Sequence, residues 1–416
     1  MEAPRRILVL TADAGFGHRS AANAIADALR ELYGMRCEVQ IVNPLEDRRT
    51  PFFLRDSQTD YDKIVRSVPE LYRIGYDASD ATVPTALLES ALIVLMYEVI
   101  QDLLHAFQPD AIISTYPLYT APISAVFTIR RQSVPLYLAV TDLVSVHRVW
   151  FNPKVDRLLV PTPEVATMAL SYGFSPERVA ITGIPINPVI SKMAAAPVDE
   201  LRARLGWLPN VLTVLAVGSK RMTGLLGALQ VINHFGYPLQ LAVVTGRDSE
   251  LFAELTAVEW HVPVHLYEFV THMPELMHAS DCIVTKAGGL IVTESLAAGL
   301  PMLLVDLIPG QETGNASYVV ENGAGDLASG PQDVLEALGH WTMDSCRLLQ
   351  LRAANARRLG KPQAAYEAAE MIWQAAQIGP PKREKSRSWR PRLVELLTSN
   401  QVPWQTDDSL MEDRDE

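Results

Sequence analysis

Short apolar runs alternate with helical patterns along most of the chain, in two successive sets of five. The first set is RRILVLTA, CEVQIVNP, DAIIST, LYLAVTD and RLLVPT, and the second is LTVLAVGS, LQLAVVTG, VHLYEFV, DCIVTKAG and PMLLVDL. These runs are rich in leucine and β-branched residues and lack polar alternation, which is typical of parallel strands that helices cover on both faces. The pattern predicts an α/β protein with two Rossmann-like, doubly wound domains.

The length of 416 residues also favours two domains, because a single hydrophobic core rarely grows that large. The sequence IPINP separates the two sets, so we predict an N-terminal domain over residues 1–186 and a C-terminal domain over residues 187–378. Residues 379–416 follow the sequence GPP and are predicted to form a charged tail. Right-handed crossovers bring the loops after the strands to one edge of each sheet, where the domains would face a central cleft.

Net charge, cysteine content and hydropathy argue against several classes of protein. A net charge of −12 argues against a general nucleic-acid-binding protein. The three cysteines are widely spaced, which fits a reducing compartment and predicts neither disulfides nor a metal site. The start MEAPRRILVLTADAG is predicted to be a strand rather than a leader peptide. The apolar stretch near residues 91–96 is too short to span a bilayer and is predicted to be a core helix.

Two basic patches lie within this acidic chain. The first surrounds the apolar residues Phe52, Phe53 and Leu54 and consists of Arg48, Arg49, Arg55, Lys63, Arg66 and Arg73. The second surrounds Trp389 and consists of Lys382, Arg383, Lys385, Arg387, Arg390 and Arg392. Either patch could contact an anionic membrane surface, where each basic residue contributes ~1 kcal/mol. A solvated loop and a solubilising tail are the alternative.

The loop after the first strand, TADAGFGHRS, has features of an anion-binding turn. Gly15 and Gly17 let the backbone bend tightly and approach a ligand. The helix that follows offers free N–H groups and a partial positive charge to an anion. Ser20 breaks the pattern G-x-G-x-x-G, which disfavours NAD binding. His18 is placed where a general base could face the cleft, and capping of the helix start is its alternative role.

A second polar segment, TDLVSVHRVW, follows the strand LYLAV and should reach the same sheet edge. Asp142 and His147 fall on this loop. A carboxylate near an imidazole can orient it and raise its basicity, so the pair could serve proton transfer. Asp142 could instead be only a turn or cap residue.

The segment from Phe269 to Asn315 carries the richest set of features. The turn Gly288-Gly289 and the helix after it follow a strand and suit a diphosphate. Glu294, one turn further, could accept hydrogen bonds from ribose hydroxyls, as acidic residues do in other nucleotide folds.

The next strand, PMLLVDL, delivers polar side chains to the same edge. Gln311, Glu312 and Asn315 carry carboxamide or carboxylate groups, which match the donor and acceptor pattern of sugar hydroxyls. A plain strand–turn–helix connection with polar surface residues is the alternative interpretation of the whole segment.

Several motifs together resemble a known family. They are TADAGFGHRSAANAI, PDAIISTYP, VTDLVSVHRVWFNPKVDRLLVPTPEV, ITGIPINP and TKAGGLIVTESLAAGLPMLLVDLIPGQETGNA. Their combination is similar to the monogalactosyldiacylglycerol synthase and processive diacylglycerol glucosyltransferase group of glycosyltransferase family 28. The resemblance covers about residues 5–375. It implies a GT-B fold, transfer with inversion of the anomeric centre and no catalytic metal. The sequence agrees on the last point, since no DxD motif follows a strand at the cleft.

The resemblance also implies roles for individual residues. On the acceptor side, His18 would be the base or an acceptor-binding residue, and Asp142 would line the same wall beside Gly15, Gly17 and His147. On the donor side, the backbone at Phe269 and Val270 would bind uracil. The diphosphate would face Gly288, Gly289 and Leu290, the ribose Glu294, and the sugar Gln311 and Glu312.

The loop GSKRMTG departs from the glycine run that the family usually has at this place. Gly218 is kept, and Lys220 and Arg221 could pair directly with phosphate. Ile291 stands where the family usually has threonine, and Ala287 where it usually has proline.

These observations predict an enzyme that transfers a hexose from a UDP-sugar to a lipid hydroxyl, with diacylglycerol as the expected acceptor. The protein would need no cofactor and would associate peripherally with the cytoplasmic face of the membrane. Two alternatives stay open at this point. The first is a UDP-sugar 2-epimerase or a transferase with a soluble acceptor, and the second is a non-catalytic UDP-sugar-binding regulator.

Overall fold

The structure is a computed structural model that describes residues 3–14, 16–52, 54–55, 82–219, 222, 224–308 and 312–379. Two parallel six-stranded sheets organise these residues. The strands of the first sheet are β1 Arg5–Leu10, β2 Cys37–Val42, β3 Ala111–Ser114, β4 Leu136–Ala139, β5 Arg157–Val160 and β6 Val179–Ile181. Those of the second are β7 Leu212–Val217, β8 Leu239–Val244, β9 Val264–Tyr267, β10 Cys282–Lys286, β11 Met302–Asp306 and β12 Gly325–Leu327.

Helices connect the strands of both sheets. The helices that precede β7 in the chain are α1 Phe16–Tyr33, α2 Thr82–Phe107, α3 Thr120–Arg130, α4 Pro163–Ser171, α5 Val189–Met193 and α6 Val198–Leu205. The helices that follow β7 are α7 Leu225–Asn233, α8 Ser249–Thr256, α9 Met273–His278, α10 Gly289–Ala298, α11 Thr313–Glu321, α12 Pro331–Leu359 and α13 Ala364–Ile378. The predicted α/β architecture with two doubly wound sheets is confirmed.

Each sheet reverses its winding once. The first sheet has the order β2-β1-β3-β4-β5-β6, so the reversal lies between β1 and β3. The second has the order β12-β11-β10-β7-β8-β9, so the reversal lies between β7 and β10. Open α/β sheets bind their ligands in the crevice outside the carboxyl ends of such strands. The loops after β1 and β10 therefore occupy the two places where a ligand is expected.

The last helix, α13, packs on the N-terminal sheet, although the sequence prediction assigned it to the C-terminal domain. Ala368 and Ala369 of α13 share a buried cluster with Ala22 and Ala28 of α1. Small side chains on both helices let their backbones approach closely, and the cluster continues into β1 and β3. The N-terminal core therefore includes α13, and the chain crosses between the two domains twice.

Residues 88–107 of α2 form the one helix, within the described ranges, that is long and apolar enough to cross a membrane. Its residues Leu92, Met96 and Ile100 are buried in the core of the N-terminal domain, where the helix packs against α3. Its Val94 is exposed. These buried residues belong to the domain core, but the sequence prediction that this stretch is too short to span a bilayer is wrong, because the apolar helix continues beyond residues 91–96.

We expect Trp373→Ala to lower the free energy of unfolding by ~3–5 kcal/mol, because the change leaves a cavity between α13 and the N-terminal core. The Trp373 ring stacks on Tyr33 with 4.1 Å between centroids and is buried. Urea unfolding followed by circular dichroism measures the effect, and Gln374→Ala on the exposed face of α13 is the control. A loss for Trp373→Ala no larger than that of the control would contradict this packing.

Candidate active site

A cleft lies between the carboxyl edges of the two sheets, next to both points of reversal. One wall comes from the loop after β1, the start of α1 and the loop after β4, and the other from the starts of α10 and α11 and the segments before them. The described lining residues are Ala14, Gly17, His18, Thr141, Asp142, Leu143, Ser145, Lys286, Gly288, Gly289, Leu290, Ile291, Glu294, Ile308, Glu312 and Asn315. Because each domain supplies one wall, the cleft can hold two reactants face to face.

His18 lies in the first turn of α1, and its side chain is held by residues that follow β3 and β4. Its Nδ1 lies 2.9 Å from the carbonyl oxygen of Thr115 and 2.7 Å from Oγ1 of Thr141. Since a carbonyl oxygen can only accept, we assign the ring proton to Nδ1. The other nitrogen, Nε2, then keeps its lone pair for a ligand or a proton.

Burial lowers the pKa of His18 to about 4, and the hydrogen bond to Thr115 opposes this only in part. Tyr116 meets the imidazole edge-on at 5.1 Å between ring centroids, and Trp150 lies at 5.9 Å. These rings exclude water from the imidazole, and desolvation disfavours the charged form of a histidine. His18 is therefore neutral at physiological pH.

Asp142 follows Thr141 on the loop after β4 and lines the same wall of the cleft. Burial raises the pKa of its carboxyl to about 6, and a hydrogen bond from the indole of Trp150 acts in the opposite direction. That bond joins Nε1 of Trp150 to Oδ2 of Asp142 at 2.7 Å. A carboxylate with this pKa is mostly ionised at pH 7 and is a stronger base than an ordinary aspartate.

His147, which the sequence predicts on the acceptor side, lies outside the described lining of the cleft. Its Nδ1 accepts a hydrogen bond from the backbone N–H of Val149 at 3.1 Å and caps the short 3₁₀ helix Arg148–Trp150. The sequence spacing placed His147 correctly on the loop, but the local turn directs its Nδ1 to the backbone.

On the opposite wall, α10 begins at the glycine pair with no side-chain cap. The first N–H groups of a helix lack partners within the helix and carry partial positive charge, so this start can bind an anion. Asn315 stabilises the turn before α10, because its Nδ2 donates to the carbonyl oxygen of Ala287 at 3.0 Å. Gly288, Gly289 and Leu290 all line the cleft, as predicted.

Lys286 is a lining residue that the sequence analysis did not single out. It forms an ion pair with Glu312, and both side chains are largely buried. The second carboxylate oxygen of Glu312 accepts from the backbone N–H of Ile308 at 2.8 Å. Both oxygens of Glu312 therefore have protein partners, so Glu312 orients Lys286 as well as facing the cleft. The residue type and its place at the end of β10 were the signal that could have identified Lys286.

Glu294 lies one turn into α10 and faces the cleft. Burial raises the pKa of its carboxyl to about 7. No described residue is seen to form a hydrogen bond or ion pair with this side chain, and the residue is half-buried. A carboxyl partly withdrawn from water without a partner is costly, and a ligand that donates hydrogen bonds would relieve that cost.

Three predicted donor residues lie outside the described lining. Gly218 directly follows β7, where an added Cβ would lie 2.8 Å from the end of the Leu225 side chain, so a larger residue would need that side chain to shift. Val270 is buried, and Phe269 is half exposed beneath the guanidinium of Arg247, at 4.0 Å from its ring centroid.

The remaining predictions fall on residues that the structure does not describe. They are Gly15, Lys220, Arg221 and Gln311. Within the described ranges, no group of three or more histidine, cysteine, aspartate or glutamate side chains could hold a metal ion.

Comparisons with known proteins bear on both domains. Residues 18–186 match the family model for monogalactosyldiacylglycerol (MGDG) synthase, and residues 214–366 match the glycosyltransferase family 28 C-terminal domain. The chain is 32% identical to the chloroplastic monogalactosyldiacylglycerol synthase of Spinacia oleracea over 376 residues, which covers 88% of this chain and 72% of the relative.

Solved structures share the fold. MurG of Acinetobacter baumannii has a TM-score of 0.58 and 15% identity, covering 89% of this chain and all of its own. The UDP-GlcNAc 2-epimerase of Neisseria meningitidis, bound to UDP-GlcNAc, has a TM-score of 0.56 and 15% identity, covering 90% of this chain and all of its own. These likenesses establish the fold alone, and the predicted GT-B architecture is confirmed. The identity to the spinach enzyme places the chain, as a glycolipid-forming hexosyltransferase, in the monogalactosyldiacylglycerol synthase family of glycosyltransferases.

Proposed function

We propose that this enzyme transfers a hexose from a UDP-sugar to a hydroxyl of diacylglycerol, with inversion and without a bound metal. One observation supports this above all others. A neutral histidine and a carboxylate on one wall of the cleft face an uncapped helix start with a lysine on the other. The first wall suits a hydroxyl that must lose its proton, and the second suits a diphosphate that leaves with negative charge. The name of the Spinacia oleracea relative, monogalactosyldiacylglycerol synthase, supports galactose and diacylglycerol as the reactants.

The donor would lie along the wall that α10 and α11 supply. Its diphosphate would meet the N–H groups at Gly289 and Leu290 and the ammonium of Lys286, so that fixed positive charge stabilises the leaving group. Glu294 would accept hydrogen bonds from the ribose hydroxyls, which would offset the cost of burying its carboxyl. Asn315, and Gln311 beyond the described residues, would bind the sugar hydroxyls.

The acceptor hydroxyl would attack the anomeric carbon from the side opposite the diphosphate. Its oxygen forms the new bond to that carbon while the bond to the diphosphate oxygen breaks, and UDP leaves with the electron pair. A single displacement of this kind inverts the anomeric centre. We assign the proton to Asp142, because its pKa of about 6 makes it a stronger base than His18 at about 4. Nε2 of His18 would accept a hydrogen bond from the hydroxyl and orient it.

We further propose that the enzyme works at the cytoplasmic face of the membrane, without a cofactor. Phe52 and Val94 are exposed apolar side chains of the N-terminal domain, and Arg48 near Phe52 is exposed as well. Arg49 is paired with Asp47 and Asp102 and is therefore less available to lipid head groups. The rest of the first patch beyond residue 55, and the whole second patch, lie outside the described residues.

Purified enzyme incubated with UDP-galactose or UDP-glucose and diacylglycerol liposomes is expected to form monohexosyldiacylglycerol, which mass spectrometry of the lipid fraction detects. Activity should survive dialysis against EDTA, because Lys286 and the start of α10 would supply the charge that a metal supplies elsewhere. NMR of the product should show an anomeric configuration opposite to that of the donor. Failure of a folded sample to transfer sugar from either donor would refute the proposed function, and loss of activity with EDTA would refute the metal-free mechanism.

The pH dependence separates the roles of the two candidate bases. We expect kcat to fall as the pH is lowered through about 6, because Asp142 takes up a proton there, while His18 stays neutral down to about 4. Loss of a general base typically costs about 10²–10⁴-fold, so Asp142→Asn should lose that much and should also lose this acidic limb.

His18→Gln is the matched variant for the same assay. It should lower kcat and still show the limb near pH 6, since Asp142 is unchanged. A limb that disappears in His18→Gln and persists in Asp142→Asn would assign the proton to His18 instead.

Glu294→Gln is expected to remove a pH-dependent loss of stability from the free protein. Folding raises the pKa of Glu294 from 4.5 to about 7, because burial disfavours the carboxylate. The contribution of Glu294 to the free energy of unfolding is therefore fully present below pH 4.5 and is lost as the pH rises through 7. Wild-type protein should therefore lose on the order of 1–3 kcal/mol between pH 5 and pH 8 relative to Glu294→Gln. Urea unfolding at the two pH values measures the difference. Glu336→Gln, on the exposed surface of α12, should behave as wild type, and an identical pH response of all three proteins would contradict the burial of Glu294.

A further inference from the structure

Trp150 contacts both candidate bases from inside the N-terminal domain. Its indole Nε1 donates to Oδ2 of Asp142 at 2.7 Å, and its ring lies 5.9 Å from the imidazole of His18, tilted by 38°. Only 2% of its surface is exposed, and its ring belongs to the core cluster of the domain. A side chain so deeply buried, and outside the described lining of the cleft, is placed to act on the two bases rather than on a reactant.

The backbone around Trp150 is held on both sides. Before it, His147 caps the 3₁₀ helix Arg148–Trp150 through its bond from Val149. After it, the buried side chain of Asn152 donates to Oε1 of Glu89 on α2 at 2.8 Å. These bonds lie outside the cleft and fix the position from which the indole reaches Asp142. His147 therefore contributes to the site through Trp150.

We propose that Trp150 is a positioning residue of the transferase, which holds Oδ2 of Asp142 away from the reactants so that Oδ1 alone receives the acceptor proton. The inference rests on the proposed function, because it assigns Asp142 as the base. One hydrogen bond to Oδ2 fixes the rotation of the carboxylate, and the indole ring packed near His18 limits how that imidazole can move. Among the described residues, the other titratable groups that contact the imidazole or line the cleft are Tyr116 beside the imidazole and Lys286, Glu294 and Glu312 on the opposite wall.

The chain contains a matched control for this bond. Trp341 on α12 donates its Nε1 to Oδ2 of Asp326 at 2.7 Å, and Trp341 is 1% exposed. Trp341 belongs to the core of the C-terminal domain, Asp326 is also ion-paired with Arg352, and neither residue is among those that line the cleft. Trp341→Phe therefore removes the same kind of bond from a buried indole without touching the candidate bases.

Trp150→Phe is expected to lower kcat by about 10- to 100-fold, which corresponds to the usual free energy of a hydrogen bond to a charged group. The KM of the donor should change little. The acidic limb of the kcat profile should move to higher pH, because the bond that lowers the pKa of Asp142 is lost. Trp341→Phe should leave kcat and the profile unchanged. In an Asp142→Asn background, Trp150→Phe should cause no further loss, since residues that act as one unit are not additive.

A ¹³C NMR titration of the Asp142 carboxyl provides a readout that does not need turnover. It should show a higher pKa in Trp150→Phe than in the wild type and no change in Trp341→Phe. If the wild type transfers no sugar, the proposed function fails, while this titration still reports whether Trp150 controls Asp142. If Trp150→Phe does not fold, as judged by circular dichroism, His147→Ala removes the cap and should move the limb and the titration in the same direction by a smaller amount.

Three results would overturn the proposal. The first is a Trp150→Phe variant with wild-type kcat. The second is a loss of kcat that multiplies fully with that of Asp142→Asn, which would mean an independent structural role. The third is a pH limb and an Asp142 titration that stay where they are in the wild type.

Discussion

The site depends on a close backbone contact between the two domains. The backbone at Gly289, at the start of α10, lies next to the carbonyl oxygen of Thr141, and an added Cβ would make an ordinary van der Waals contact with that oxygen at 3.6 Å. At the start of α11, a Cβ on Gly314 would clash with the hydroxyl of Ser145. A residue larger than glycine at position 314 would therefore require Ser145 to move. Because these contacts join the loop after β4 to the starts of α10 and α11, they set the separation between the candidate bases on one wall and the positive charge on the other.

The parts of this arrangement that follow from local sequence could be predicted. A buried parallel strand needs an unbroken apolar run, and each run identified in the sequence corresponds to a strand. Asp142 and Gly288 could be placed at the cleft because a residue that directly follows such a strand must lie at the carboxyl edge of its sheet. The edge strands β6 and β12 escaped prediction because three residues, which in β12 include a glycine and an aspartate, carry no recognisable pattern.

The parts that depend on distant contacts could not be predicted. Helix α13 packs on the N-terminal sheet because its alanines fit against small side chains of α1. These side chains lie more than 300 residues away in the sequence. The pairing of Lys286 with Glu312 and the bond from Trp150 to Asp142 likewise appear only when the loops have met. Sequence spacing identifies which residues share an edge, but side-chain direction within that edge is decided by turns such as the one that makes His147 a cap.

Burial acts in opposite directions on the two candidate bases and inverts their usual order. An ordinary histidine is a stronger base than an ordinary aspartate by about 2.6 pKa units. Here burial lowers the pKa of His18 to about 4 and raises that of Asp142 to about 6, because the same apolar surroundings disfavour imidazolium and carboxylate alike. A proton released in this cleft is therefore held better by the aspartate, and the histidine is left as a neutral acceptor that can orient a hydroxyl. The bond from Trp150 limits how far the pKa of Asp142 rises, so the carboxyl stays ionised near neutral pH and remains able to take that proton.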